Sequence, residues 1–145
     1  GKIGQINKGD QLFKNLSIEV NKKKPIFKIY GTKYKTKDGT CIRDYIHVSD
    51  ISEIHYKVLL KINKYNISTI LNCGYGKGIS VYDAIKEFKK FANKNLKIVE
   101  FPNRKGDMVK IIASNKKLMN FAKWRPKFNS LRKIVKSCLI WEKRQ

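Results

Sequence analysis

The sequence predicts an α/β fold. Segments with apolar residues at helical spacing alternate with short runs of β-branched and aromatic residues, Ser or Asp capping signals stand at the head of helical segments, and turns rich in Gly, Pro or Asn separate them. Gln11 to Val20 places Leu12, Leu16 and Val20 at successive i+4 positions with Phe13 alongside, which predicts a short amphipathic helix. Pro25 ends it, and Ile26 to Tyr30 reads as a strand. Gly31 to Thr40 is a polar loop with a turn at Asp38-Gly39, and Cys41 to Val48 has strand character.

Asp50 stands three residues before Glu53, a capping-box spacing, ahead of a helix with Ile51, Ile54, Val58 and Ile62 on one face. Asn63 to Ser68 is a turn, and Thr69 to Cys73 is a short strand running into Gly74, Gly76 and Gly78. Ser80 with Asp83 caps a helix whose apolar face is Ala84, Ile85, Phe88 and Phe91. Ile98 to Phe101 is a strand bounded by Pro102, and a loop holding Arg104, Gly106 and Asp107 leads to apolar Val109 to Ala113. Two helices follow, Lys116 to Phe121 and Ser130 to Trp141. The strands are few and short, like pieces of sheets whose other strands lie elsewhere.

At 145 residues the chain is of single-domain size, and 41% hydrophobic with 30% charged residues is too apolar for a disordered tail. No apolar stretch approaches the ~18 residues of a membrane helix. Gly1 to Phe13 mixes Lys, Gln, Asn and Asp, so no secretory leader is expected, and the opening Gly in place of Met points to a processed or truncated product. Cys41, Cys73 and Cys138 are odd in number and lack metal-ligand spacing, so they read as free, partly buried thiols in a reducing, cytoplasmic compartment.

The net charge of +22 would by itself point to nucleic acid or another polyanion. Yet the cations are 28 Lys and 5 Arg, spread along the whole chain with Lys22-Lys23-Lys24 as the one run of three. Readers of nucleic acid concentrate charge and use Arg for bidentate contacts. A Lys-, Asn- and Ile-leaning composition accounts for most of the excess, so loose adhesion to polyanions is expected, and no specific nucleic acid.

The stretch from Gly31 to Asp50 carries the chemistry. Its Asp38-Gly39 turn delivers Arg43 onto a strand, where Asp44 and Tyr45 can orient a guanidinium suited to phosphate or carboxylate. The bland alternative is a surface Arg43–Asp44 pair with Tyr45 in the core. Gly74-Tyr-Gly-Lys-Gly78 is not the dinucleotide fingerprint, and reads as a turn that needs glycine for backbone reasons. Arg104-Lys-Gly-Asp107 sets a second cation and a carboxylate about a flexible Gly. His47 and His55 have no third ligand spaced to help them, so both read as structural, with no metal expected.

Asp38-Gly-Thr-Cys-Ile-Arg-Asp-Tyr-Ile-His-Val-Ser-Asp50, Asn72-Cys-Gly-Tyr-Gly-Lys-Gly-Ile-Ser80, Arg104-Lys-Gly-Asp107 and Trp124-Arg-Pro-Lys127, in this order, closely resemble the UDP-glucose 4-epimerases (UDP-galactose 4-epimerases) of the extended short-chain dehydrogenase/reductase superfamily. The likeness covers residues 1–145 as the C-terminal portion of such an enzyme. It implies a Rossmann-type protein, of which this chain is mostly the small α/β substrate-binding domain. Residues 49–73 would be a helix and strand packing with an absent N-terminal NAD-binding domain.

By that resemblance Arg43 and Arg104 grip the two phosphates of UDP-glucose or UDP-galactose, and Asp107 accepts from the ribose hydroxyls. Lys28, Ile29 and Tyr30 line the uracil pocket, Tyr45 packs beside the diphosphate, and Ile111 faces the sugar. The family's chemistry is a reversible oxidation at the sugar C4 using NAD. Its catalytic Tyr and Lys and its Gly-rich NAD turn would lie upstream of Gly1, so no catalytic residue is expected here and the chain alone is expected to be silent. The full enzyme is expected to be a homodimer. Lys33, Lys35 and Ser114 depart from the family pattern without removing a proposed ligand. Another nucleotide-sugar epimerase, dehydratase or decarboxylase, or a non-catalytic basic nucleic-acid-binding module, are the competing readings.

Overall fold

A computed structural model describes residues 9, 11–93 and 95–144. The stretch Gly1–Lys8, considered above for a leader, lies outside the described residues. In chain order the elements are α1 (Leu12–Val20), β1 (Ile26–Tyr30), β2 (Ile42–Arg43), α2 (Val48–Tyr65), β3 (Ile79–Ser80), α3 (Val81–Ala92), β4 (Lys97–Phe101), β5 (Lys110–Ile111), α4 (Lys116–Ala122) and α5 (Leu131–Glu142).

β1 and β4 pair in parallel, with Ile26 opposite Lys97 and Tyr30 opposite Phe101. Alternation along β1 buries Phe27 and Ile29 and turns Ile26 and Lys28 outward. Helices α1, α3 and α5 pack on one another beside this pair. Their Leu16, Val20, Ala84, Ile85, Phe88, Val135 and Leu139 form one core with Phe27 and Ile29. Fully burying large apolar side chains of this kind contributes about 1.5–3 kcal/mol each. Lys14 and Glu142 tie α1 to α5 through a nearly buried ion pair at 2.7 Å, whose Coulomb gain is offset by desolvation.

A second core lies between α2 and α4, where Ile54, Leu118, Ala122 and Trp124 meet. The short sheet β3-β2-β5 runs antiparallel from β2 to β3 and parallel from β2 to β5. It carries the segment that the motif reading singled out.

The helix and strand positions follow the sequence closely where local signals are strong. Ser80 and Asp83 make the expected capping box at the head of α3. Three secondary-structure expectations change. The strand expected over 41–48 is paired at Ile42 and Arg43 alone, because beyond them the backbone turns to side-chain partners, His47 N–H donating to the Tyr75 hydroxyl at 3.1 Å. Likewise β5 keeps two residues of the apolar run 109–113.

Asp50 does not cap α2. The cap is His47, whose Nδ1 accepts from Ser49 N–H at 3.1 Å, and burial lowers its pKa so that the ring stays neutral for this task. Asp50 lies inside the first turn, fully buried, and its carboxylate is engaged elsewhere. Finally, residues 69–73 form no strand: no described strand pairs with them, and Ile70 is 86% exposed. All three cysteines are free, but Cys73 is exposed where partial burial was expected.

Candidate functional site

The Asp38-Gly-Thr40 turn is a structural clamp. Asp38 Oδ1 accepts from Thr40 N–H at 3.0 Å and from the Thr40 hydroxyl at 2.8 Å, while Ser80 donates to Oδ2. Burial opposes the Asp38 charge, but these donors win and hold the carboxyl below its ordinary value. Gly39 has φ +77°, and a Cβ there would sit 2.0 Å from the Thr32 carbonyl oxygen, so no other residue fits. The clamp joins the loop to the head of α3 and sets the start of β2.

Arg43 leaves β2 with Nη1 donating to the Ile42 carbonyl at 2.9 Å. Asp44 does not orient it, as the sequence reading had allowed, nor does it form the surface pair. Its carboxylate accepts from Tyr75 N–H at 3.0 Å, Gly76 N–H at 2.8 Å and Ala113 N–H at 3.3 Å. Successive residues of an extended segment face opposite ways, so Arg43 is released to one side while Asp44 anchors the glycine turn on the other. Gly74 lies against Asp44 and Ala113, with a built Cβ 2.5 and 2.6 Å from them. Gly76 has φ +69°, so the turn needs glycine for its backbone.

A cavity of about 480 Å3 opens where α1, β1, β2 and the loop after β4 meet. Lys28, Ile29, Tyr30, Arg43, Tyr45, Arg104 and Asp107 all line it. Among the described residues β1 pairs with β4 alone, so its other edge is open, and all five β1 residues contribute to the cavity wall. Arg104 lays its guanidinium over the Tyr30 ring, 4.1 Å from the centroid. Tyr45 packs on Phe13 at 4.6 Å, and burial pushes its phenol up to about 12 despite the nearby Arg43 charge, so the hydroxyl keeps its proton at neutral pH.

Ile111 is the exception among the expected site residues, since the cavity wall does not include it. It lies opposite Arg43 in the β2–β5 register and is 46% exposed, at the border of the site. The sequence reading missed the opposite wall, Leu12, Asn15, Ile18 and Glu19 of α1. Its signal was a polar Asn15–Glu19 pair at i+4 beside the buried Leu16–Val20 stripe.

The glycine turn does not fit a dinucleotide. The Tyr75 and Gly76 amides that could meet a phosphate are taken by Asp44, and the G-x-G-x-x-G spacing is missing. His47 caps its own helix and His55 Nδ1 faces the Ile51 carbonyl at 2.9 Å. Among the described residues no cluster of three or more His, Cys, Asp or Glu could hold a metal, and no helix is long and apolar enough to cross a membrane.

No family model matches the chain. A UDP-glucose 4-epimerase from Azospirillum brasilense is 37% identical over 121 residues, which cover 83% of this chain and 35% of that protein. The chain matches the C-terminal portion of the UDP-glucose 4-epimerases.

It corresponds to the C-terminal portion and spans about a third of the length of the curated epimerases it matches. Solved epimerases share its fold. The UDP-Glc/GlcNAc 4-epimerase from Campylobacter jejuni superposes with a TM-score of 0.84 at 39% identity, over 97% of this chain and 43% of that one. The UDP-glucose-4-epimerase from Stenotrophomonas maltophila, with bound NAD and formylated UDP-arabinopyranose, gives a TM-score of 0.91 at 26% identity, over 98% and 43%. The short, separate sheets are those of the C-terminal part of these Rossmann-type proteins, and the chain shares that α/β fold.

Proposed function

We propose that this chain is the UDP-sugar-binding portion of a cytoplasmic 4-epimerase that interconverts UDP-glucose and UDP-galactose in galactose metabolism. The observation that carries the reading is the convergence of Arg43 and Arg104, far apart in the chain, on one cavity that also holds Asp107. A diphosphate brings two charges, and burying them without cations is costly. The open edge of β1 at Lys28, Ile29 and Tyr30 suits the alternating donors and acceptors of a uracil, and Asp107 suits vicinal ribose hydroxyls. Tyr45, protonated, packs beside the diphosphate. The solved epimerases are named for different sugars, so the UDP handle is the feature this cavity addresses.

In this reading the chain binds and orients. The NAD chemistry and the catalytic Tyr and Lys belong to an N-terminal portion, so the chain alone is catalytically silent, and the whole enzyme is a homodimer. Residues 49–73 form the seam to that portion. Tyr56, Leu59, Leu60 and Tyr65 on α2, with Ile70 after it, are exposed apolar residues that a cofactor domain would cover. The isolated chain is accordingly expected to melt broadly, at low temperature or as an aggregate; a sharp cooperative melt of the monomer in calorimetry would count against the seam.

The site itself is tested by titrating UDP into the chain and into Arg43→Leu. Each charge-assisted hydrogen bond contributes about 1.5–3 kcal/mol, so loss of the guanidinium is expected to weaken UDP binding by about 100-fold. Equal binding by the two proteins eliminates the role of Arg43.

A further inference from the structure

We infer that Asp44 is a positioning residue for Arg43: its carboxylate locks β5 in register against β2, and that register holds the backbone anchor of the guanidinium and sets Ile111 beside it. The inference deepens the UDP-binding reading and rests on it.

The pairing of β2 with β5 is too short to fix its own register. It joins Ile42 to Lys110 and Arg43 to Ile111, with Ile42 N–H donating to the Val109 carbonyl at 2.9 Å. Lys110 and Ile111 are both exposed, so β5 has no buried face to choose one alignment. A slip of one residue would turn Lys110 to the position beside Arg43 and set an ammonium against the guanidinium. Ala113 N–H supplies the constraint that the strand lacks. In a longer parallel ladder it would donate to the backbone carbonyl of residue 44, but here it donates to the Asp44 carboxylate at 3.3 Å. The same carboxylate accepts from Tyr75 N–H at 3.0 Å and Gly76 N–H at 2.8 Å. One side chain thus closes β2, the end of the β5 run and the glycine turn together.

The lock reaches Arg43 through one residue. Arg43 Nη1 donates to the Ile42 carbonyl at 2.9 Å, and Ile42 is also the residue whose N–H is bonded to the β5 run. The guanidinium is therefore clipped to the strand where β5 pairs, and a shift of β5 moves its anchor. Asp44 acts without lining the site: the cavity wall includes Arg43 and does not include Asp44.

The test separates the phosphate end of the ligand from the base end, because β1 and its open edge belong to a different sheet from β2. UDP and uridine are each titrated by NMR chemical shift into the unaltered chain and into Asp44→Asn, Arg43→Leu, the Asp44→Asn/Arg43→Leu double variant and Asn115→Ala. Asp44→Asn replaces one acceptor oxygen by a donor, so at least one of the three amides loses its partner. It is expected to weaken UDP by about tenfold, less than the loss on removing the guanidinium itself, and to leave uridine within about twofold. In the Arg43→Leu background it is expected to have no further effect. Asn115→Ala removes a neighbouring tie, Asn115 Nδ2 to the Gly74 carbonyl at 2.9 Å, without touching β2, and is expected to leave UDP binding unchanged.

Unchanged UDP binding by Asp44→Asn, equal weakening of UDP and uridine, the same loss in Asn115→Ala, or full additivity with Arg43→Leu each overturns the assignment. Hydrogen exchange of the unaltered chain covers the case in which Asp44→Asn fails to fold. Ala113 N–H is expected to be protected, while Lys110 N–H, which points away from β2, exchanges freely; equal rates overturn the lock. Failure of the unaltered chain to bind UDP at all overturns the underlying reading, and is recognisable before any variant is compared.

Discussion

Replacing Asp50 by alanine is expected to lower the unfolding free energy by about 3–5 kcal/mol, because three donors lose their acceptor and each buried donor left unmet costs about 1–3 kcal/mol. Asp50 is fully buried, and its carboxylate accepts from the Tyr75 hydroxyl at 2.6 Å, Lys127 N–H at 3.1 Å and Phe128 N–H at 2.9 Å. These donors come from the glycine turn and from the segment after Trp124, so one side chain of α2 ties together three separate parts of the chain. Burial and the adjoining carboxylate raise the Tyr75 phenol above its ordinary value, so its hydroxyl remains a donor at neutral pH. Removal strands that hydroxyl and two backbone amides at once. Urea should unfold the variant at a lower midpoint than the unaltered chain. An unchanged midpoint would mean that the donors reach water, contrary to the complete burial of Asp50.

Phe88→Ala is the second large effect, expected at about 3–5 kcal/mol from lost transfer energy plus the cavity left behind. Phe88 is fully buried at the centre of the α1–α3–α5 core. Its ring meets Phe13 edge-on at 5.6 Å, and Phe13 in turn lies 4.6 Å from Tyr45 on the cavity wall. The cost should therefore appear twice: as a lower melting temperature, and as weaker UDP binding when Tyr45 loses its backing. A stability loss with untouched UDP affinity would show that the wall is held independently of the core.

How much of the site was legible follows from what each residue does. Arg43, Arg104 and Asp107 could be selected because charged groups in specific short motifs stand out from a Lys-rich background. The strand over 26–30 was legible because its pattern of β-branched and aromatic residues is local. The α1 wall was not, since a helix packed against a cavity looks in sequence like a helix packed against a core. Ile111 was assigned by likeness to the sugar, and its place beside Arg43 depends on how β5 pairs, which no residue of that run announces.

Asp44 and Asp50 show the same limit from the other side. Next to an arginine, Asp44 reads as its ion-pair partner; ahead of an apolar helical stripe, Asp50 reads as a cap. In the fold both turn to backbone amides brought in from other segments, because a buried carboxylate is satisfied by whichever donors the tertiary packing delivers and not by its nearest neighbour in sequence. His47 gained the capping role that Asp50 was expected to have.

Sequence by itself determined the α/β class and the helix and strand positions with strong local periodicity, since these depend on residue spacing along one stretch of chain, and its short motifs carried the likeness to the epimerases. Tertiary structure alone decided that among the described residues β1 pairs along one edge only, that Arg104 rests on Tyr30, and that residues 69–73 join no strand. Those outcomes depend on which distant surfaces meet, and contact between remote segments is fixed by packing and geometry that no single stretch encodes.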